Sequence, residues 1–163
     1  MLTRSGFAKH LFIAALTMAA LVGAASQAHA QTQRLVLAYA TGAVVAAAPC
    51  EDNPALLCQT SIVSGFATRI GALVGELHER VDLTTGAYTG FATFTTPNGD
   101  QIRTAYVGQV LQFYPDGSVD FVEQHQITSG TGRFTGAAGG LFVLGHADPA
   151  HNITITGIGT INR

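Results

Sequence analysis

The stretch Ala87–Val119, AYTGFATFTTPNGDQIRTAYVGQVLQFYPDGSV, holds two runs rich in Thr, Phe, Tyr, Val and Ile, and each run ends in a turn. Pro97-Asn98-Gly99-Asp100 closes the first, because Asn-Gly takes up the positive φ that a tight hairpin needs. Pro115-Asp116-Gly117-Ser118 closes the second, with Pro pre-setting φ at the first turn position. β-branched and aromatic runs separated by such turns read as antiparallel strands joined by hairpins.

The pattern continues on both sides. Thr84-Thr85-Gly86-Ala87 is a turn upstream and Asp148-Pro149-Ala150-His151 a turn downstream. Together the turns predict strands near 33–46, 60–70, 73–83, 87–96, 102–114, 119–128, 140–146 and 153–161. Ala43–Ala48 tolerates helix by propensity, but it is short and runs into Pro49, so no stable helix is expected. Long antiparallel meanders remove their exposed edges by closing on themselves. The expected fold is all-β, an antiparallel β-barrel of about eight strands whose interior holds side chains or one small ligand. A two-sheet sandwich is the alternative.

The first 30 residues read differently. Arg4, Lys9 and His10 form a basic head, Leu11–Ala25 is an apolar core, and Ala28-His29-Ala30 supplies the small residues of a cleavage site. That is the secretory signal pattern. A spanning helix needs about 20 apolar residues, longer than this core. Residues 1–30 are therefore expected to be a cleaved signal peptide, with no membrane anchor left after cleavage. Residues 31–163 are expected to form a single domain in the periplasm or outside the cell.

Charge narrows the partners. Loss of Arg4 and Lys9 leaves six Arg against ten Asp and Glu, and no Lys. A weakly acidic domain without a basic stripe argues against nucleic acid and anionic membranes. Cys50 and Cys58 bracket a Pro-containing loop, and two such cysteines in an exported protein read as one disulfide. Their spacing is not C-x-x-C and no His lies nearby, which disfavours a redox or metal pair.

One segment carries a resemblance. Ile127-Thr128-Ser129-Gly130-Thr131-Gly132-Arg133-Phe134-Thr135-Gly136-Ala137-Ala138-Gly139 resembles the stretch shared by allene oxide cyclases and dirigent proteins, where a strand enters a G-x-G turn before an aromatic and a Gly-Ala-x-Gly run. Gly157-Ile158-Gly159-Thr160-Ile161 looks like the last strand of bacterial members of that barrel group. The resemblance implies an eight-stranded barrel with an apolar cavity, often assembled as a homotrimer. It implies activity that works by holding a reactive substrate in one conformation: fatty-acid epoxide cyclisation in the cyclases, steered phenoxy-radical coupling in the dirigent proteins. On physical grounds, Gly130 and Gly132 permit a tight turn, and Phe134 is placed to plug one end of a barrel.

Alternation sorts strand residues onto two faces. In 73–83, Glu79 shares a face with Leu73, Leu77 and Val81. In 102–114, Arg103 and Gln109 share one with Val107, Leu111 and Phe113. In 119–128, Glu123 and His125 share one with Phe121 and Ile127. A charge inside a barrel is costly unless paired, so Arg103 with Glu79 or Glu123 is the expected pair. With His125 in reach, such a cluster could contact a ligand oxygen. The plainer alternative puts these residues at a barrel mouth or, through a bulge, in solvent. Tyr88 and Tyr106 fall on the opposite phases and are weaker candidates.

Other chemistries lack residues. His146 and His151 flank Asp148 without a tetrahedral ligand set, and no G-x-S-x-G, H-E-x-x-H or P-loop is present. No metal and no cofactor are expected. Asn152-Ile153-Thr154 is a glycosylation sequon, relevant only where exported proteins are glycosylated. Three functions stay open: a barrel binding a small apolar molecule, a cyclase, isomerase or steering protein using the same cavity, and a structural protein with a filled core.

Overall fold

The structure, a computed structural model, describes residues 34–162. The expected signal peptide and its cleavage site lie outside the described residues.

Eight strands follow in order: β1 Arg34–Pro49, β2 Leu56–Ala67, β3 Gly71–Asp82, β4 Ala87–Thr95, β5 Gln101–Phe113, β6 Val119–Gly130, β7 Ala138–Ala147 and β8 Asn152–Asn162. Each pairs antiparallel with the next, and β8 returns to β1, so the sheet is a closed barrel. The turn chemistry acts as the sequence predicts: Gly86, Gly99 and Gly117 have φ of 72°, 84° and 91°. The alanine run is not helical. It extends β1, with Ala46, Ala47 and Ala48 paired to Thr60, Gln59 and Cys58.

A 3-10 turn, Gly132–Phe134, links β6 to β7. It drives the Phe134 ring, fully buried, into a layer with Val36, Ala67, Ile102, Ala137 and Ile161. This layer closes the barrel at the end carrying the β2–β3, β4–β5 and β6–β7 connections. The Arg133 guanidinium lies 4.7 Å over the same ring. At the other end Cys50 and Cys58 are disulfide-bonded across the β1–β2 loop, with their Cα atoms 5.0 Å apart.

The exterior is uneven. Leu35, Leu37, Tyr39, Phe66, Phe142, Leu144 and Ile158 each stand about half exposed on neighbouring strands. The outward positions 35–45 of β1, 58–66 of β2, 140–146 of β7 and 152–162 of β8 include no Asp, Glu, Lys or Arg. By contrast, β3 turns Glu76, His78 and Arg80 outward.

Candidate functional site

The middle of the barrel is polar. β3 turns Glu79 inward and β6 turns Glu123 and His125 inward, all three buried, on the faces that alternation assigns them. Arg103 and Gln109 are not with them. On β5 the inward residues are Ile102, Thr104, Tyr106, Gly108 and Val110, and the outward ones Arg103, Ala105, Val107 and Leu111. Arg103 is exposed and, among the described residues, its side chain reaches Gln101, 3.5 Å away, and no carboxylate. Gln109 folds over the β3–β4 turn and donates to the Thr85 carbonyl at 2.9 Å. The expected Arg103–carboxylate pair is therefore absent. The error has a physical source: the outer wall is apolar too, with Val107, Leu111 and Phe113 each more than half exposed. Apolar content could not tell the two faces of this strand apart.

What replaces Arg103 inside is phenol. Tyr88 of β4 and Tyr106 of β5 are both buried. Tyr106 donates to Glu79 Oε1 at 2.9 Å, and Gln59 of β2 donates to the other oxygen. Tyr88 donates to Glu123 Oε1 at 3.1 Å. Each ring has room because a glycine faces it: Tyr88 is paired with Gly108 and Tyr106 with Gly90. A Cβ on Gly108 would sit 2.1 Å from the Tyr88 ring, and one on Gly90 would sit 2.5 Å from the Tyr106 ring. Both tyrosines could have been found by starting alternation from the hairpin register rather than from apolar content, since Gly opposite Tyr marks a ring folded across a barrel wall.

His125 sits at the centre of the network. Its Nε2 lies 2.8 Å from Glu123 Oε2, and its Nδ1 lies 3.0 Å from Thr104 Oγ1. Tyr106 stacks on the imidazole with ring centroids 4.3 Å apart and planes 20° from parallel. Glu123 and His125 are each only 3% exposed, so water does little to screen their pair. Burial, reinforced by the Glu123 charge, pushes the Glu79 carboxyl above the usual carboxylate range against the pull of its Gln59 and Tyr106 hydrogen bonds. Burial first, and the two carboxylates next, push the Tyr88 and Tyr106 phenols well above theirs, so both stay protonated as donors.

Between this polar layer and the Phe134 end lies a cavity of about 90 Å³. Its walls include Ala40, Leu73, Leu77, Phe94 and Ile155, while Thr104, Glu123 and His125 form a polar patch on one side. Glu79 belongs to the same network but does not line this space. A second hollow, a groove of about 550 Å³ on the outer wall, runs past Ala46–Ala48, Thr60, His78, Arg80 and Phe91. There His78 stacks on Phe91 at 4.8 Å, and Arg80 is held by Asp52 at 2.8 Å. Among the described residues no three His, Cys, Asp or Glu side chains are grouped to hold a metal.

The chain matches no family model, no curated protein and no solved structure. Fold and site define it as a closed eight-stranded barrel, stoppered at one end by an aromatic side chain. Its internal cavity is apolar apart from one side, which Thr104, His125 and Glu123 of the buried polar network line.

Proposed function

We propose that this protein is an exported β-barrel that binds a small, mostly apolar molecule, as its resemblance to the allene oxide cyclase and dirigent-like barrels implies. The observation that carries the reading is the cavity itself: apolar walls with a few convergent polar groups are the usual make-up of a small-molecule site. Its volume favours a compact ligand. A dry apolar cavity of about 150 Å³ in another protein admits benzene, and this one is smaller, at about 90 Å³, so a single ring is the upper limit. The disulfide supports export, since such bonds persist in oxidising compartments. Cyclase, isomerase or steering activity would use the same cavity, whereas a purely structural role would need no such space in the interior.

Ligand-observed NMR with benzene and cyclohexanone tests the reading. Both are expected to bind with exchange-averaged signals, and Ala40→Leu, which fills the cavity wall, is expected to abolish binding. Absence of binding to the wild-type protein, or binding that survives Ala40→Leu, would overturn it. Self-association, up to the homotrimer that the resemblance implies, belongs to the same proposal. Its support is the uncharged outer face over β7, β8, β1 and β2, since large apolar patches on soluble proteins mark contact surfaces.

A further inference from the structure

The barrel interior is short of basic groups. Arg34, Arg69, Arg80, Arg103 and Arg133, the arginines among the described residues, are all exposed, and no lysine is among those residues. Inside, Glu79 and Glu123 share one basic side chain, the His125 imidazole. That imidazole meets Glu123, while Glu79 is held by a phenol and an amide, Tyr106 and Gln59. Tyr106 also stacks on His125, so both carboxyls belong to one polar layer. Buried carboxyls are stable in such a place only with partners, and this pair has one basic partner between them.

Glu123 is the carboxyl on the cavity side, and it keeps room for another partner. A carboxylate offers about four lone-pair sites. Tyr88 takes one on Oε1 and His125 one on Oε2. Thr104 Oγ1 has two lone pairs, and its contact with His125 Nδ1 uses at most one of them, whichever atom carries the hydrogen. Thr104, His125 and Glu123 line the cavity together. The polar side of the cavity thus has acceptors to spare. A group bearing several N–H bonds matches it best. The wall also includes the Phe94 ring, and aromatic rings attract cations.

We infer that the ligand is a compact apolar amine, whose nitrogen stands beside Glu123 and Thr104 in the place that the sequence assigns to Arg103. The inference rests on the binding proposal above and names the ligand class for that site. It requires no particular protonation state of Glu123. Ammonium against carboxylate and amine against carboxylic acid hold the same protons, and both form the hydrogen bond between nitrogen and oxygen.

The experiment measures affinities of cyclopentylamine, cyclopentanol and methylcyclopentane at about pH 7, where an alkylamine in water is an ammonium, as a lysine side chain is. The three differ only in the group on the ring. In the wild-type protein the amine is expected to bind about tenfold more tightly than the alcohol, the worth of a hydrogen bond that carries charge. Glu123→Gln keeps the side chain's size and replaces the carboxyl by an amide. It is expected to lose the preference for the amine while methylcyclopentane binds as before, which shows the barrel intact. Ala40→Leu is expected to abolish binding of all three, so that surface carboxylates account for none of it. Cyclopentanol bound by the wild-type protein as tightly as the amine would overturn the inference, with no variant needed, and leave the binding proposal standing. A preference that persists in Glu123→Gln, or amine binding that alone survives Ala40→Leu, would do the same. Failure of all three ligands to bind the wild-type protein would overturn both.

Discussion

Glu79 and Arg103 show how much one side chain's orientation decides. Glu79 is buried, and its carboxyl is held above the ordinary glutamate value of 4.5. The folded state therefore holds this proton to higher pH than the unfolded chain does. Stability tied to the protonated group is complete below the unfolded value and is lost as pH rises through the folded one. Urea denaturation across a pH series is expected to show the wild-type protein losing stability relative to Glu79→Gln from about pH 4.5 upward. Parallel curves for the two proteins would contradict this. Arg103 is the reverse case. A buried partner of Glu79 would cost about 3–5 kcal/mol to remove, but the exposed side chain seen here predicts that Arg103→Leu changes stability by no more than about 0.5 kcal/mol. The same denaturation measurement decides between the two.

At the scale of the strand, turns were easier to read than faces. Asn98-Gly99 and Asp116-Gly117 announced their hairpins through backbone chemistry that depends on no distant contact, and β3 to β6 begin and end within two residues of the positions read from them. The inward faces of β3 and β6 were legible as well, because their outward partners are charged or amide residues such as Glu76, Arg80, Gln124 and Gln126. On β5 nothing local marks the inner face: Tyr106 and Thr104 are no more apolar than Val107 and Ala105, and it is partners on other strands, Gly90 and Glu79 for Tyr106 and His125 for Thr104, that mark them as inside. Bulges add to the difficulty, since the β5–β6 register shifts between Arg103 and Thr104 and again between Val110 and Gln112. The β1–β2 loop belongs to this scale too. Its disulfide closes a short loop with a sequence separation of 8, so replacing both Cys50 and Cys58 by Ala is expected to lower stability by about 2–3 kcal/mol while the barrel still folds. Thermal unfolding monitored by circular dichroism measures the loss, and a double variant that is unfolded at room temperature would show that the loop holds the barrel closed.

At the scale of the whole barrel, closure leaves the described residues without a free strand edge to pair with another chain, so assembly through the barrel is expected to form face to face. The uncharged wall over β7, β8, β1 and β2 is where it is expected. Sedimentation equilibrium should find the wild-type protein self-associated, and Leu37→Arg combined with Ile158→Lys should yield a monomer with unchanged circular dichroism. A wild-type monomer at every concentration would dismiss this. The paired tyrosines of the barrel middle have a further consequence, which is optical. The chain has four tyrosines and no tryptophan, and three of the four hydrogen-bond to carboxylates: Tyr114 to Asp120 on the outer surface, and Tyr88 and Tyr106 to Glu123 and Glu79 beside the cavity. A phenol held against a carboxylate loses its excitation by passing on a proton, so these three rings should be dim in the folded protein and brighten when their partners shift. Ultraviolet emission, with no label attached, thus reports from the part of the molecule where a ligand would arrive once Tyr114→Phe has removed the phenol that Asp120 holds on the outer surface.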